Sequence, residues 1–198
     1  MSQLQELASK VRSCTECTLA KERTCAVPGE GPEDAKLMFI GEAPGYHEDQ
    51  QGRPFVGAAG QFLEKLLESI GMSREQVFIA NMLKCRPPKN RDPLPDELSA
   101  CSKYIERQIE LIAPSVIVTL GRHSMSKFLP GTTIGKAHGR AVQTKNFTLY
   151  PIHHPAAALY QGDFRKMIEE DFKMIPSLLE ENTTHQKTEA QPYQLPLV

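Results

Sequence analysis

The chain has no basic start followed by an apolar stretch. It opens Met1-Ser-Gln-Leu-Gln-Glu-Leu, which argues against export and for a cytoplasmic protein. It also lacks any apolar run approaching the roughly 20 residues needed to cross a bilayer, so no membrane partner is expected. Charge of either sign is not in excess. The 23 lysines and arginines against 24 acidic residues leave a formal net charge of −1. Nothing global therefore calls for a nucleic-acid partner, and any such contact must come from local patches. Five cysteines is an odd number in a chain without an export signal. That disfavours a disulfide framework and leaves a metal site, a reactive thiol or buried structural cysteines.

What is present fits one domain, because 198 residues with 40% hydrophobic and 24% charged content can bury a sizeable core. The chain converges on Ile40-Gly41-Glu42-Ala43-Pro44-Gly45. Ahead of it, Leu37-Met38-Phe39-Ile40 is a continuous apolar run of the kind that forms a strand buried on both faces. Two glycines and a proline then set a loop at the end of that strand. In open α/β sheets the carboxyl edge, where such a loop lies, is where ligands bind.

Three later segments repeat the pattern. Val77 to Ala80 is a strand with Asn81 near its end, Ser115 to Leu120 a third ending at Gly121, and Phe147 to Ile152 a fourth running into His153 and His154. Helical periodicity marks residues 2–12, Phe62 to Ile70, the stretch opening at Pro95, and Phe164 to Leu179, and a short helix is expected after Gly121, ending at Leu129. Strands alternating with helices predict a three-layer α/β/α sandwich around a four-stranded, mostly parallel sheet. Residues 1–180 form the domain, and the polar segment 181–198 is expected to be a disordered tail.

Several residues carry chemistry beyond packing. Cys14 and Cys17 form a CxxC pair whose turn aims both sulfurs at one metal, and Cys85 and Cys101 bring the count to four. Four thiolates suit a zinc site or an iron–sulfur cluster, and spacing alone does not separate them. Cys101 falls on the inner stripe of its helix, whereas Cys25 reads as a small loop residue. Tyr46 to Val56 reads as a binding loop in which Phe55 is either a plug or a stacking surface for a flat ring. Asn81 is either a core hydrogen-bonding residue or a ligand reader. Lys84 to Arg91 carries four basic residues and two prolines, a stiff segment suited to phosphates.

Taken together and in order, these segments resemble the family 4 uracil-DNA glycosylases. The match runs from about Ser13 to Leu179 and comprises CxxC, GEAPG, GRPFVGAAG, NxxKCRPPxNR, Cys101 and HHPAA. The resemblance implies that Cys14, Cys17, Cys85 and Cys101 hold a structural [4Fe–4S] cluster. It implies hydrolysis of the N-glycosidic bond of deoxyuridine in DNA by a monofunctional enzyme of base excision repair, leaving an abasic site. Phe55 would then stack on the flipped uracil, Asn81 would read its Watson–Crick edge, and His154 would contact O2. Gly41, Glu42 and Ala43 would lie in the loop that holds base and water, with Glu48 and Asn90 a supporting polar pair. Ala43 stands where the best-known uracil glycosylases carry an aspartate, so Glu42 is the remaining candidate for handling water. The compact CRPPKNR loop favours turnover over covalent capture, and His138 is expected at the surface.

The enzyme is expected to be monomeric and nucleoid-associated, acting on single- or double-stranded DNA. A non-catalytic, cluster- or zinc-stabilised DNA-binding module is the alternative. Finally, Gln194-Leu195-Pro196-Leu197-Val198 is similar to short peptides with which bacterial repair proteins bind the sliding clamp.

Overall fold

The computed structural model describes residues 1–189, with side chains through residue 182. The clamp-like peptide 194–198 lies outside the described residues. Five strands form one sheet in the order β2-β1-β3-β5-β4. They are β1 Leu37–Gly41, β2 Phe78–Asn81, β3 Val116–Leu120, β4 Val142–Gln143 and β5 Thr148–Ile152. The three pairings among the apolar strands are parallel, with Gly41 level with Asn81 and Thr119 level with Pro151. The fifth strand, β4, was not expected. It is two exposed residues paired antiparallel to β5, too short to leave an apolar pattern in the sequence.

Alternate side chains of β1 point to opposite faces, as a pleated strand requires. Leu37 and Phe39 join a core with α3 (Ala58–Ser69) and α7 (Gly162–Lys173), where Phe39 stacks on Phe172 at 5.7 Å. Met38 and Ile40 join the opposite core with Ile105 and Ile112 of α4 (Pro95–Ile112). Each such buried side chain contributes about 1.5–3 kcal/mol. A third apolar cluster lies under α1 (Gln3–Ser13) and gathers Val11, Leu19, Leu83, Tyr104, Cys85 and Cys101.

Other differences from the sequence expectation are local. The expected binding loop begins as a helix, α2 (Tyr46–Gln51), because the Glu48 carboxylate accepts the Gly45 amide at 3.1 Å and closes its first turn. The short helix expected after β3 is present as α5 (Arg122–Ser126), and a second one, α6 (Ile134–Ala137), forms beyond it. The single helix expected over Phe164 to Leu179 is two, α7 and α8 (Ile175–Glu189), parted at Met174. Helix α8 continues past Glu181, where the polar tail was expected to begin. No helix among the described residues is long and apolar enough to cross a membrane.

Candidate active site

The loops after β1, β2 and β5 enclose a cleft of about 570 Å³ at the carboxyl edge of the sheet. Its lining includes Glu42, Ala43, Glu48, Phe55, Asn81, Asn90 and His154, residues far apart in sequence that the parallel topology brings together. Gly41 sits behind them. A Cβ there would lie 2.3 Å from Asn81 Oδ1 and 2.7 Å from the Phe55 ring, so only glycine lets both approach.

Asn81 closes β2 and is 1% exposed, yet its Oδ1 has no hydrogen-bond partner. A buried acceptor left unpaired costs about 1–3 kcal/mol, and structures rarely tolerate it without a reason. Here the reason is its position: it belongs to a residue lining the cleft. Phe55 is buried with φ of 51°, a left-handed conformation that costs an aromatic residue about 1–3 kcal/mol. Two features hold it there. Arg74 Nη1 donates to the Phe55 carbonyl at 3.0 Å and the same guanidinium reaches the Pro54 carbonyl. Gly60 leaves room for that carbonyl, since a Cβ at this position would meet it at 1.9 Å.

His154 faces the Phe55 ring, centroids 5.7 Å apart and planes 27° from parallel. Its Nδ1 accepts the Ala156 amide at 3.1 Å, which puts the proton of the neutral ring on Nε2. Burial lowers its pKa to about 4, outweighing a small opposing effect of Glu48. His154 is therefore a neutral N–H donor at ordinary pH.

The two glutamates of the first loop differ. Glu48 Oε1 accepts the amides of Val56 and Gly57, both at 2.8 Å, while Oε2 accepts that of Gly45. Its carboxylate is a strut holding α2 against the start of α3. Glu42 is half-buried, its carboxylate makes no direct hydrogen bond among the described residues, and Oε2 lies 3.8 Å from His123 Nε2. Burial raises its pKa, with His123 opposing and Asp92 adding to the rise. Ala43 packs toward the cysteine cluster as well as lining the cleft. Asn90 does not pair with Glu48; its Oδ1 accepts Arg86 Nε at 2.7 Å.

The basic loop is less available to phosphates than its composition implied. Lys84 is buried, and Arg91 forms a forked pair with buried Glu97 at 2.9 and 2.6 Å. Arg86 lies over the exposed Tyr46 ring, which leaves Lys89 exposed at the loop. His138, expected at the surface, is half-buried: Nδ1 lies 3.0 Å from Asp171 Oδ2 and its ring packs on His153 at 4.6 Å. Sequence reasoning also passed over Arg74 and His123, whose partners are distant in the chain, and took Gly60 only as part of the GRPFVGAAG segment it shares with Phe55.

A second pocket is lined by all four cysteines of the predicted set together with Val11, Ala20, Arg23, Ala100 and Tyr104. Cys14, Cys17, Cys85 and Cys101 are free thiols, as is Cys25, which stands apart at 3.9 Å from the Gln50 carbonyl. Arg23 Nη1 donates to Cys85 Sγ at 3.1 Å, and the Lys84 amide to Cys101 Sγ at 3.3 Å. Four sulfurs in an apolar shell, receiving N–H donors, fit a thiolate-bound metal group.

Fold and cleft define the class: an α/β protein with a deep ligand cleft at the carboxyl edge of a mostly parallel sheet. The family model described as the Uracil DNA glycosylase superfamily matches residues 28–173, and the chain belongs to that superfamily. Within it, the chain is 49% identical to the type-4 uracil-DNA glycosylase of Sulfurisphaera tokodaii, over 90% of this chain and 86% of the relative. It is 46% identical to the type-4 enzyme of Archaeoglobus fulgidus (90% and 94% covered) and 41% to that of Thermotoga maritima (89% and 95%).

Proposed function

We propose that this protein excises uracil from DNA by hydrolysing its N-glycosidic bond, as a uracil-DNA glycosylase of DNA repair. The observation that carries the site assignment is the unpartnered Oδ1 of Asn81 in the cleft. Uracil presents N3–H to that acceptor and O4 to the amide's N–H, whereas cytosine presents the opposite pattern. The target nucleotide must leave the stack to reach this depth. Exposed Tyr46, Leu159 and Tyr160 at the cleft are apolar bodies of the kind that fill a vacated step. Phe55 supplies a stacking face, already held in its strained conformation before the base arrives. The Glu48 strut stiffens the wall from Gly45 to Gly57, and a rigid wall is what excluding thymine's 5-methyl requires.

In the reaction the C1′–N1 bond breaks and its electron pair moves into the uracil ring, giving negative charge at O2. His154 donates Nε2–H to O2 while remaining neutral, which stabilises that charge without first protonating the base. A water adds to C1′ and gives up its proton. Glu42, half-buried and with an elevated pKa, is the carboxylate available to take it.

Cys14, Cys17, Cys85 and Cys101 hold a [4Fe–4S] cluster. Its contribution is structural: when bound it joins the segment after α1, the loop after β2 and α4 into one unit. The protein acts as a monomer, with residues 1–180 as its catalytic domain. The tail peptide Gln194–Val198 docks on a sliding clamp, its leucines entering a groove and Gln194 setting the register. Removing residues 191–198 should abolish clamp binding and leave activity on short oligonucleotides unchanged; no binding by the full chain at about 10⁻⁶ M removes this part.

The experiment for the main proposal is incubation with single- and double-stranded uracil-containing oligonucleotides followed by alkali cleavage. Cleavage at uracil, absent with Asn81→Ala, is the expected result. Intact strands with the wild-type protein would leave a cluster-containing DNA-binding module as the better account.

A further inference from the structure

Lys84 is among the most deeply buried side chains of the protein, 1% exposed, and an ammonium in that position normally faces a carboxylate. Here its hydrogen bonds go to neutral oxygens: the main-chain carbonyl of Asn81 at 2.8 Å and Gln108 Oε1 at 2.7 Å. Gln108 is fixed in turn, its Nε2 donating to the Pro28 carbonyl at 2.7 Å. The neighbouring Val27 amide donates to the Lys84 carbonyl, also at 2.7 Å. On its other side the Lys84 amide reaches Cys101 Sγ. One residue thus touches the base-reading segment and the thiol site together. An apolar side chain of similar volume would fill this space without the cost of desolvating a charge. What it would not do is hold the Asn81 carbonyl.

We propose that Lys84 is a positioning residue that fixes Asn81 for base recognition, its buried charge offset by the thiolates of the neighbouring four-cysteine site. This rests on the roles given above to Asn81 and the four cysteines. Asn81 is the last residue of β2, and the next two residues hang on the first loop, Met82 on the Gly41 carbonyl at 2.9 Å and Leu83 on that of Glu42 at 3.0 Å. The ammonium closes this segment from the far side. It leaves the Asn81 amide one setting toward the cleft, and it links that setting to the thiolate charge beside it.

The test uses the full-length, metal-loaded protein with Lys84→Met, which keeps the volume and removes the donors. Visible absorbance per chain should stay at the wild-type value and affinity for uracil-free duplex should be unchanged. Single-turnover uracil release should fall by about tenfold or more, the worth of one charge-assisted hydrogen bond. The cluster's midpoint potential should move to a more negative value, because a positive charge beside it has gone; a purely structural lysine would not move it. A wild-type rate and potential in Lys84→Met would overturn the proposal. Should that variant lose colour or fail to fold, Gln108→Leu decides. It frees one side of the ammonium and should keep colour while slowing release about three- to tenfold, less than Lys84→Met because the bond to the Asn81 carbonyl remains. Wild-type release by Gln108→Leu would then reject the coupling. Failure of the parent assignments looks different: unimpaired release by Asn81→Ala removes Asn81 from base reading, and colourless wild-type protein removes the cluster.

Discussion

Asn81 and Cys85 lie four residues apart, and the regions around them are finished differently. Near Cys85 the polar groups have partners within the chain: a sulfur with Arg23, a second sulfur with a main-chain amide, an ammonium with two carbonyl oxygens. Around Asn81 the chain leaves an acceptor unpaired, an aromatic residue in a left-handed conformation, and a carboxylate short of a direct hydrogen bond. One region is complete apart from the metal group proposed for it. The other is completed by a substrate. The difference teaches that strain in this protein is local and is borne by neighbours that are themselves well satisfied, with Arg74 and Glu48 the clearest cases.

Breaking the satisfied side should have the largest effect. Cys85→Ala or Cys101→Ala removes one of four sulfurs and unpins three segments, and the protein should be colourless and poorly soluble. Visible absorbance and soluble yield check this; brown, active single variants would be incompatible with the ligand set.

On the unsatisfied side, His154→Ala should slow single-turnover uracil release by about 10²–10³ while leaving DNA affinity nearly unchanged, because its hydrogen bond strengthens as charge develops on O2. An equal loss in binding and rate would make it a simple binding residue.

The two glutamates sharpen the comparison within one loop. Glu48→Ala removes a carboxylate from three main-chain amides and should destabilise the fold by about 2–4 kcal/mol, read as a lower midpoint in denaturant. Glu42→Gln should leave that midpoint within about 0.5 kcal/mol and act on the rate instead.

The smallest effect expected is in the pH profile. Glu42 works ionised and its pKa is raised, so the rate should climb with pH through an acid limb lying above 4.5. No step should appear at 6.5, because His154 stays neutral down to about 4. The same shift acts on stability. As pH falls below 6.5 the unfolded histidine takes up a proton before the folded one, so His154 makes the fold less stable between 6.5 and about 4. An activity step at 6.5 that vanishes in His154→Ala would contradict the lowered pKa.

Much of this was legible in the sequence because it follows from pattern. Apolar runs ending in Gly41, Asn81, Gly121 and His154 placed those residues on one edge, and parallel pairing then brought them together. The gathering of Cys14, Cys17, Cys85 and Cys101 was one of the readings their number left open, and the family resemblance selected it. What was not legible depends on partners without periodicity. β4 is two exposed residues. α2 forms where a loop was expected, because Glu48 closes its turn. The basic loop loses Lys84 to the interior and Arg91 to Glu97, which composition cannot foresee. His138 is drawn inward by Asp171, thirty-three residues later.

The cysteine site also bears on the order in which the molecule is made. Cys14 and Cys17 emerge from the ribosome early, but Cys101 lies in α4, past the middle of the chain. The set cannot be completed until that helix is out, so the first segment has to wait, exposed, for a partner it cannot yet reach. Once closed, the same linkage ties residues that are distant along the chain, narrowing what the unfolded molecule can explore. Under the proposed cluster assignment, supply of the cluster and completion of folding would be one event, and a cell short of iron would accumulate unfinished chains rather than inactive folded ones.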